Sequence, residues 1–254
     1  MENEVVRFDL EKCIGCGACV RDCLTGHIVL IEGKAALREG RCIQCGHCYA
    51  VCPTEAVSMD GYDCGEYRDY LKPSELNADK LLLAMKSRRS VRRFTGEKVA
   101  KEDLERIIEA GRCCPTAKNL QNVHFIILDS VREQAEAMAI AALMQMDFFR
   151  ADHESVPEDY LFKGAPLVIV IADSRLDNAA LAASYMELEA NALGLGVLHN
   201  GYFIGAANNY PPLRQLIGLE GDLRAVCCLV IGHPDPDIKY RRTAPRRKAN
   251  VIVK

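Results

Sequence analysis

From residue 76 onward the chain alternates between two hydrophobic rhythms. Residues 78–88, ADKLLLAMKSR, set Leu81, Leu82 and Met85 at helical spacing behind a cap at Asn77 or Ser74. Lys101 to Ala110 repeats that period and reads as a second helix, closed by Gly111. Val123 to Leu128 is a short apolar strand, followed by an Ala- and Met-rich helix reaching about Met146. Residues 147–163, DFFRADHESVPEDYLFK, are irregular and charged, with aromatic insertions. Ala165 to Ala172, APLVIVIA, is a β-branched run with the texture of a buried strand. Asn178 to Leu193 predicts a long helix of small and apolar residues ending at Gly194. Leu223 to Ile231, LRAVCCLVI, predicts another buried strand, stopped by Gly232 and Pro234. Such alternation predicts a layered α/β or α+β unit over residues 76–254. Before it, residues 61–75 are polar, carry Gly and Pro, and read as a linker with Cys64 as a spectator thiol. Residues 1–60 have a different texture and form a separate small domain.

Composition narrows the class. The chain has 254 residues, 49% of them hydrophobic, which allows one small and one medium domain with a substantial core. No apolar run approaches the roughly 20 residues that span a bilayer, and a formal net charge of −3 gives no electrostatic case for nucleic acid. The start, MENEVVRFDLEKC, lacks the basic and apolar regions of a signal peptide. Thirteen cysteines in such a chain point to reduced thiols and a cytoplasmic setting.

The cysteines then reorganise the picture. Cys13, Cys16, Cys19 and Cys23 repeat as Cys42, Cys45, Cys48 and Cys52, each group spaced C-x2-C-x2-C-x3-C, with Pro53 after the last. A disulfide framework suits a short secreted chain, which this is not. Structural zinc uses two C-x2-C knuckles to close one tetrahedron, and a third cysteine so close to a knuckle is surplus to it. The spacing suits a [4Fe–4S] cube, with three thiolates from one loop and the fourth from elsewhere. In the bacterial run the fourth cysteine ligates the other cluster. On that rule Cys13, Cys16, Cys19 and Cys52 hold one cluster, and Cys42, Cys45, Cys48 and Cys23 hold the second. His47, inside the second loop, is surplus to this ligand set. A domain this small is expected to fold together with its clusters.

Over these residues, CIGCGACVRDC and CIQCGHCYAVCP, the chain resembles the two-cluster bacterial ferredoxins for roughly its first sixty positions, including the internal match of Ile14 with Ile43 and Gly17 with Gly46. One departure is Leu24, where a proline follows the second motif's last cysteine.

Three polar constellations lie in the larger domain. Lys86 to Arg93, just before Phe94, carries five cations in eight residues, more than complementing a helix C-terminus requires. Arg88, Arg89, Ser90 and Arg92 together suit a phosphate of about two negative charges. Pro115 to Gln121, PTAKNLQ, sets the Asn119 and Gln121 amides two apart in a loop, where they offer donors and acceptors to a heteroaromatic edge; ordinary loop polarity is the competing reading. Lys239 to Lys248 holds six cations in ten residues, followed by apolar Val251, Ile252 and Val253, which suggests a tail that packs down.

RRSVRRF, PTAKNLQ, GLGVLHNG (194–201), VIGHP (230–234) and PRRK, in that order over roughly residues 80–254, resemble the FMN-dependent nitroreductase family. The resemblance implies an α+β flavoprotein, a homodimer with FMN in each interface. It implies that Arg88, Arg89, Ser90 and Arg92 hold the phosphate or ribityl chain, and that Pro115, Thr116, Ala117, Asn119 and Gln121 follow the ribityl chain and ring. Leu198, His199, Asn200 and Gly201 would approach the isoalloxazine by backbone, with donation from the His199 side chain to the flavin as the alternative for that residue. Arg246 and Arg247, or Lys248 in place of either, would reach the phosphate. The family usually has a Trp near Val123, and this chain has none. Phe148, Phe149 and Tyr160 fall in the family's variable pocket-lining insertion, and some of them are expected to contact substrate. Cys113-Cys114 and Cys227-Cys228 read as buried small hydrophobes, and Gly194-Leu-Gly196 is not a dinucleotide fingerprint.

The expected function is FMN-dependent reduction of a nitro compound, quinone or similar small-molecule acceptor. Flavin N5 carries the chemistry, with no protein nucleophile, and electrons arrive through the two clusters from reduced ferredoxin or NAD(P)H. The alternatives are a non-catalytic electron-transfer module partnering a larger redox enzyme, and an FMN ene-reductase.

Overall fold

The computed structural model describes residues 5–40, 42–62, 76–153, 155–157 and 159–253, so Cys64 and nearly all of the expected linker lie outside the described residues. The chain groups into two compact units, Met1–Leu76 with Thr116–Leu120, and Asn77–Pro115 with Gln121–Lys254.

In the first unit, β1 (Val6–Phe8) pairs antiparallel with β4 (Val57–Met59), and β2 (Ile28–Ile31) with β3 (Lys34–Leu37). The β2–β3 turn is Glu32-Gly33, both at positive φ (50° and 76°), the handedness that continues the twist of a two-residue hairpin. Two short helices, α1 (Ala18–Asp22) and α2 (His47–Ala50), each start at a left-handed glycine, Gly17 (φ 70°) and Gly46 (φ 74°). The two positions match in the repeat because the loop before each helix needs a conformation that costs other residues about 1 kcal/mol or more. The core is formed by Val6, Ile28, Ala35, Ala56, Val57 and Met59 together with Cys13, Cys19 and Cys48.

The second unit comprises α3 (Ala78–Ser87), α4 (Lys101–Arg112), β5 (His124–Ile127), α5 (Arg132–Leu143), α6 (Asp147–Asp152), β6 (Leu167–Asp173), α7 (Leu176–Ala192), β7 (Gly196–His199), α8 (Gly201–Asn209), α9 (Pro211–Leu216) and β8 (Arg224–Gly232). The sheet order is β5-β6-β8-β7, every ladder antiparallel. Alternate residues of β6 feed opposite cores. Val168, Val170 and Ala172 join α5, α8 and α9, while Leu167, Ile169 and Ile171 join α4 and α7. All seven β6 residues are therefore buried, and the unit is helix, sheet and helix in three layers.

Several expectations need correction. Gly111 does not end α4; it is buried inside the helix, where a Cβ would meet Phe125 and Met186 at 2.8–2.9 Å. Residues 147–163 contain α6, and Phe149, Leu161 and Phe162 are each only 1% exposed. This segment is seated by Glu136, whose Oε1 accepts from the Leu161 and Phe162 amides at 2.7 and 2.8 Å. Helix α3 forms as read, capped by the Asn77 side chain accepting from the Lys80 amide, but Leu81, Leu82, Leu83 and Met85 are exposed. Val251, Ile252 and Val253 are exposed as well, so the tail does not pack down within the single chain.

The RRSVRRF segment is laid along β7. Ser90 forms a parallel bridge to Val197, and the Val91 amide donates to the Val197 carbonyl at 3.0 Å. Val91 can sit there because the facing position is Gly196, where a Cβ would come within 2.6 Å of Val91 Cγ2. Valine is stiff at χ1 and cannot swing away cheaply. Gly196→Ala is expected to destabilise this unit by about 1–3 kcal/mol, measured as a lowered denaturation midpoint; an unchanged midpoint would contradict this packing.

Candidate functional site

The first unit contains two cavities with different cysteine linings. One is bordered by Cys13, Cys16, Cys19 and Cys52, with Phe8, Leu30 and Val57 among its apolar walls. The other is bordered by Cys23, Cys42, Cys45 and Cys48, with Val6, Ile28 and Leu37. Each cavity draws three cysteines from one motif and the last from the other.

The sulfurs are treated as negative groups by the backbone around them. Amides donate to them from Ala35 to Cys13 (3.4 Å), His27 to Cys23 (3.3 Å), Gln44 to Cys42 (3.3 Å) and Ala56 to Cys52 (3.2 Å). Burial raises the Cys23 and Cys52 thiols, but it is outweighed by hydrogen bonds from Thr25 and His27 and from Thr54 and Ala56, and both end below the usual range. Cys48 is pushed up to about 11, first by burial and then by Cys42 and Cys45. Thiolates crowded into such a cavity repel one another, and a bound cation relieves that while deprotonating them. Four cysteines border each cavity, and a cube gives each thiolate an iron of its own. The donor set fits a cluster in each cavity. All described cysteines are free of disulfides. His47 Nδ1 lies 3.0 Å from Asp22 Oδ2, at the surface.

The loop expected along the flavin divides between the units. Thr116–Leu120 belongs to the first, where the Asn119 side-chain amide donates to the Gln44 carbonyl at 2.6 Å. Lys118, Asn119 and Gln121 all have positive φ (56°, 52° and 49°). Residues in that region cost of order 1–3 kcal/mol each and are enriched at binding sites. Pro115 and Gln121 belong to the second unit.

The second unit gathers the other constellation around the edge of β7. Arg88 caps α3, and Ser90 bridges Val197. Arg89 lies over the Tyr240 ring at 5.5 Å, while the Tyr240 hydroxyl donates to the Ser90 carbonyl at 3.4 Å. Thus the start of the basic tail is held beside the RRS segment, and Arg92, Arg246 and Arg247 are exposed. Leu198 packs on the α5/α8 core. The Asn200 side chain is spent on the fold: Nδ2 donates to the Leu161 carbonyl at 2.6 Å and Oδ1 accepts from the Phe203 amide, capping α8. Gly201 follows it as the exposed first residue of that helix.

Of the aromatics in the insertion, Phe149 is core, Tyr160 is half-buried and bonded to His153, and only Phe148 is exposed. Cys114 and Cys228 are buried as expected; Cys113 is exposed and Cys227 half-buried.

One residue escaped the sequence reading. Glu187 of α7 has a side chain only 9% exposed, and it binds Arg88 through Oε1 at 2.7 Å and His199 through Oε2 at 3.3 Å. The available signal was its spacing: Glu187 falls four after Ala183 and three before Ala190, on the buried stripe of its helix. Burial works against ionisation of Glu187, yet His199 and Arg88 hold its carboxyl below the usual range. His199 is raised to about 9, by its hydrogen bond to Cys227, then by Glu187, against burial. A base raised in the folded state contributes stability that is complete below its ordinary value, near 6.5, and is lost as pH rises through about 9. The wild-type thermal midpoint is therefore expected to decline between pH 7 and 9.5, and His199→Gln to flatten that portion of the profile. Parallel profiles for the two proteins would contradict the assignment.

Both parts of the chain are similar to known proteins. A nitroreductase family model matches residues 85–233, and a 4Fe–4S dicluster domain model matches residues 12–57. The chain is similar to the NADPH-flavin oxidoreductase of Vibrio harveyi, 26% identical over 179 residues, covering 65% of this chain and 69% of that one. A shorter match, 40% identical over 57 residues, is to the archaeal-type NADPH glutamate synthase of Thermotoga maritima, covering 22% of this chain and 11% of that one. Among solved structures, the fold is that of an FMN-bound nitroreductase from Bacteroides fragilis, with a TM-score of 0.61 at 20% identity, covering 70% of this chain and 100% of that one. The chain belongs to the nitroreductase family, an oxidoreductase that carries a 4Fe–4S dicluster domain ahead of its nitroreductase domain.

Proposed function

We propose that this protein is an FMN-dependent reductase of a small-molecule acceptor, a nitro compound, quinone or similar group, supplied with electrons through two [4Fe–4S] clusters. The observation that carries the reading is the pairing of two thiol-lined cavities with a nitroreductase domain in one chain. Single-electron carriers joined to a two-electron cofactor suit a donor that gives electrons singly and an acceptor that takes them in pairs.

In this reading Cys13, Cys16, Cys19 and Cys52 ligate one cluster, and Cys42, Cys45, Cys48 and Cys23 the other. The cavity linings and the amide donors to sulfur support this assignment. When bound, FMN accepts and delivers the electrons while the protein sets its position and potential. Arg88, Arg89, Ser90 and Arg92 bring forked donors and a hydroxyl suited to its phosphate, with Arg246, Arg247 or Lys248 assisting. Pro115, Thr116, Ala117, Asn119 and Gln121, and the segment Leu198 to Gly201, serve the ribityl chain and ring. Phe148 is the exposed aromatic of the insertion and the remaining candidate for acceptor contact. FMN occurs in the Bacteroides structure that shares the fold, and the Vibrio relative is an NADPH-flavin oxidoreductase; both are consistent with the assignment.

The exposed apolar face of α3 and the exposed Val251, Ile252 and Val253 favour a homodimer that covers them. Among the described residues no helix is long and apolar enough to cross a membrane. The domain division is proposed as 1–60, 61–75 and 76–254.

Anaerobically purified protein is expected to hold about eight irons, as two four-iron clusters, and one FMN per chain. Cys16→Ser is expected to lower the cluster content, to leave FMN bound, and to slow acceptor reduction driven by reduced ferredoxin by at least tenfold. Unchanged turnover in that variant, with its cluster shown to be lost, would remove the relay. A pure carrier would instead show no saturable turnover of any nitroaromatic or quinone.

A further inference from the structure

The Arg88–Glu187–His199 cluster has an asymmetry that a stabilising ion pair does not need. The carboxylate is sealed, its side chain 9% exposed, while the two cations above it are open, Arg88 at 30% and His199 at 38%. Each carboxylate oxygen takes one cation, at 2.7 and 3.3 Å. The three residues come from different elements: α3's C-terminal end, α7 and the last position of β7. Burying a carboxylate costs several kcal/mol unless it is well paired, so a lone Glu on the apolar stripe of α7 is a costly choice for packing alone. What the arrangement does supply is orientation. A free arginine loses rotamer entropy when it grips an anion; one already held has less to lose.

We propose that Glu187 is a positioning residue of the cofactor site, holding Arg88 and His199 as two fixed cations whose exposed sides serve an anionic cofactor. The inference rests on the FMN reading above, since FMN carries a phosphate of about two negative charges.

His199 has a definite role within it. One ring nitrogen, Nε2, faces Glu187 Oε2 at 3.3 Å and is engaged by the protein. Within the proposal it acts through its charge. The titratable groups around it are Glu187 from α7 and Cys227 from β8, with Arg88 on the other oxygen of the Glu187 carboxylate. A sulfhydryl is a weak acceptor, so the carboxylate supplies the lasting counter-charge.

The test uses the full chain with its clusters, stripped of flavin and titrated with FMN. At pH 8 Glu187→Gln is expected to weaken FMN binding about tenfold, because His199 loses its proton and Arg88 its hold. At pH 5.5 the loss is expected to shrink to about threefold, since His199 is then protonated without Glu187. Glu187→Asp is expected to restore most of the affinity. NMR of labelled histidine in the flavin-free protein is expected to show the His199 ring binding its proton at least tenfold less tightly in Glu187→Gln. If Glu187→Gln does not fold, His199→Gln replaces it, and the same pH-dependent share of affinity should vanish. Equal or tighter FMN binding in Glu187→Gln at both pH values would overturn the positioning role and leave the FMN reading standing. Failure of the wild-type chain to bind FMN would overturn both.

Discussion

The nitroreductase domain depends on one strand. β6 is buried along its whole length, and its alternate side chains supply two separate cores. That strand and β8 pair over seven positions, with one register irregularity near Ile171. The Arg88–Glu187–His199 cluster is then attached at the margin of this sheet. β7 is the outer strand beyond β8, and it carries Leu198 and His199. The RRSVRRF segment docks on its free edge, because Gly196 leaves room for Val91. A parallel bridge at Ser90 and Val197 fixes where Arg88 emerges, and so which carboxylate it meets.

The cluster domain is governed by a different constraint. Its core is small and includes three of the cysteines, so its cavities and its hydrophobic interior are partly the same atoms. Amides from β3 and from the segments after Cys23 and Cys52 point at sulfur, where an ordinary core would offer methyl groups. Buried thiols held high, beside others held low by hydrogen bonds, form a set of sites that gain from receiving a cation.

Much of this was legible in the sequence because the signals were periodic. The duplicated cysteine spacing, the Asn77 cap and the β-branched run of β6 each carry a local physical cause. Boundaries that depended on tertiary contacts were not legible. Gly111 looks like a helix stop, yet it is a close-packing residue inside α4, and nothing local distinguishes the two. Residues 147–163 looked irregular because the partner that orders them, Glu136, lies one helix earlier. At the site, the basic and amide-bearing stretches stood out by composition. The Asn200 side chain serves the fold instead, bonding Leu161 and Phe203, which bears on its side chain and not on the backbone approach expected of it. Glu187 shows the converse, since a single acidic residue in a helix gains meaning only when two cations from distant segments converge on it.

In the proposed function the clusters are the input and the flavin the output of one chain. Anaerobic stopped-flow mixing with reduced ferredoxin tests this most directly, following cluster and flavin absorbance together in the resting protein. The clusters should bleach first and the flavin afterwards, with the flavin phase lost in Cys16→Ser. Flavin bleaching at the same rate with and without intact clusters would contradict the account.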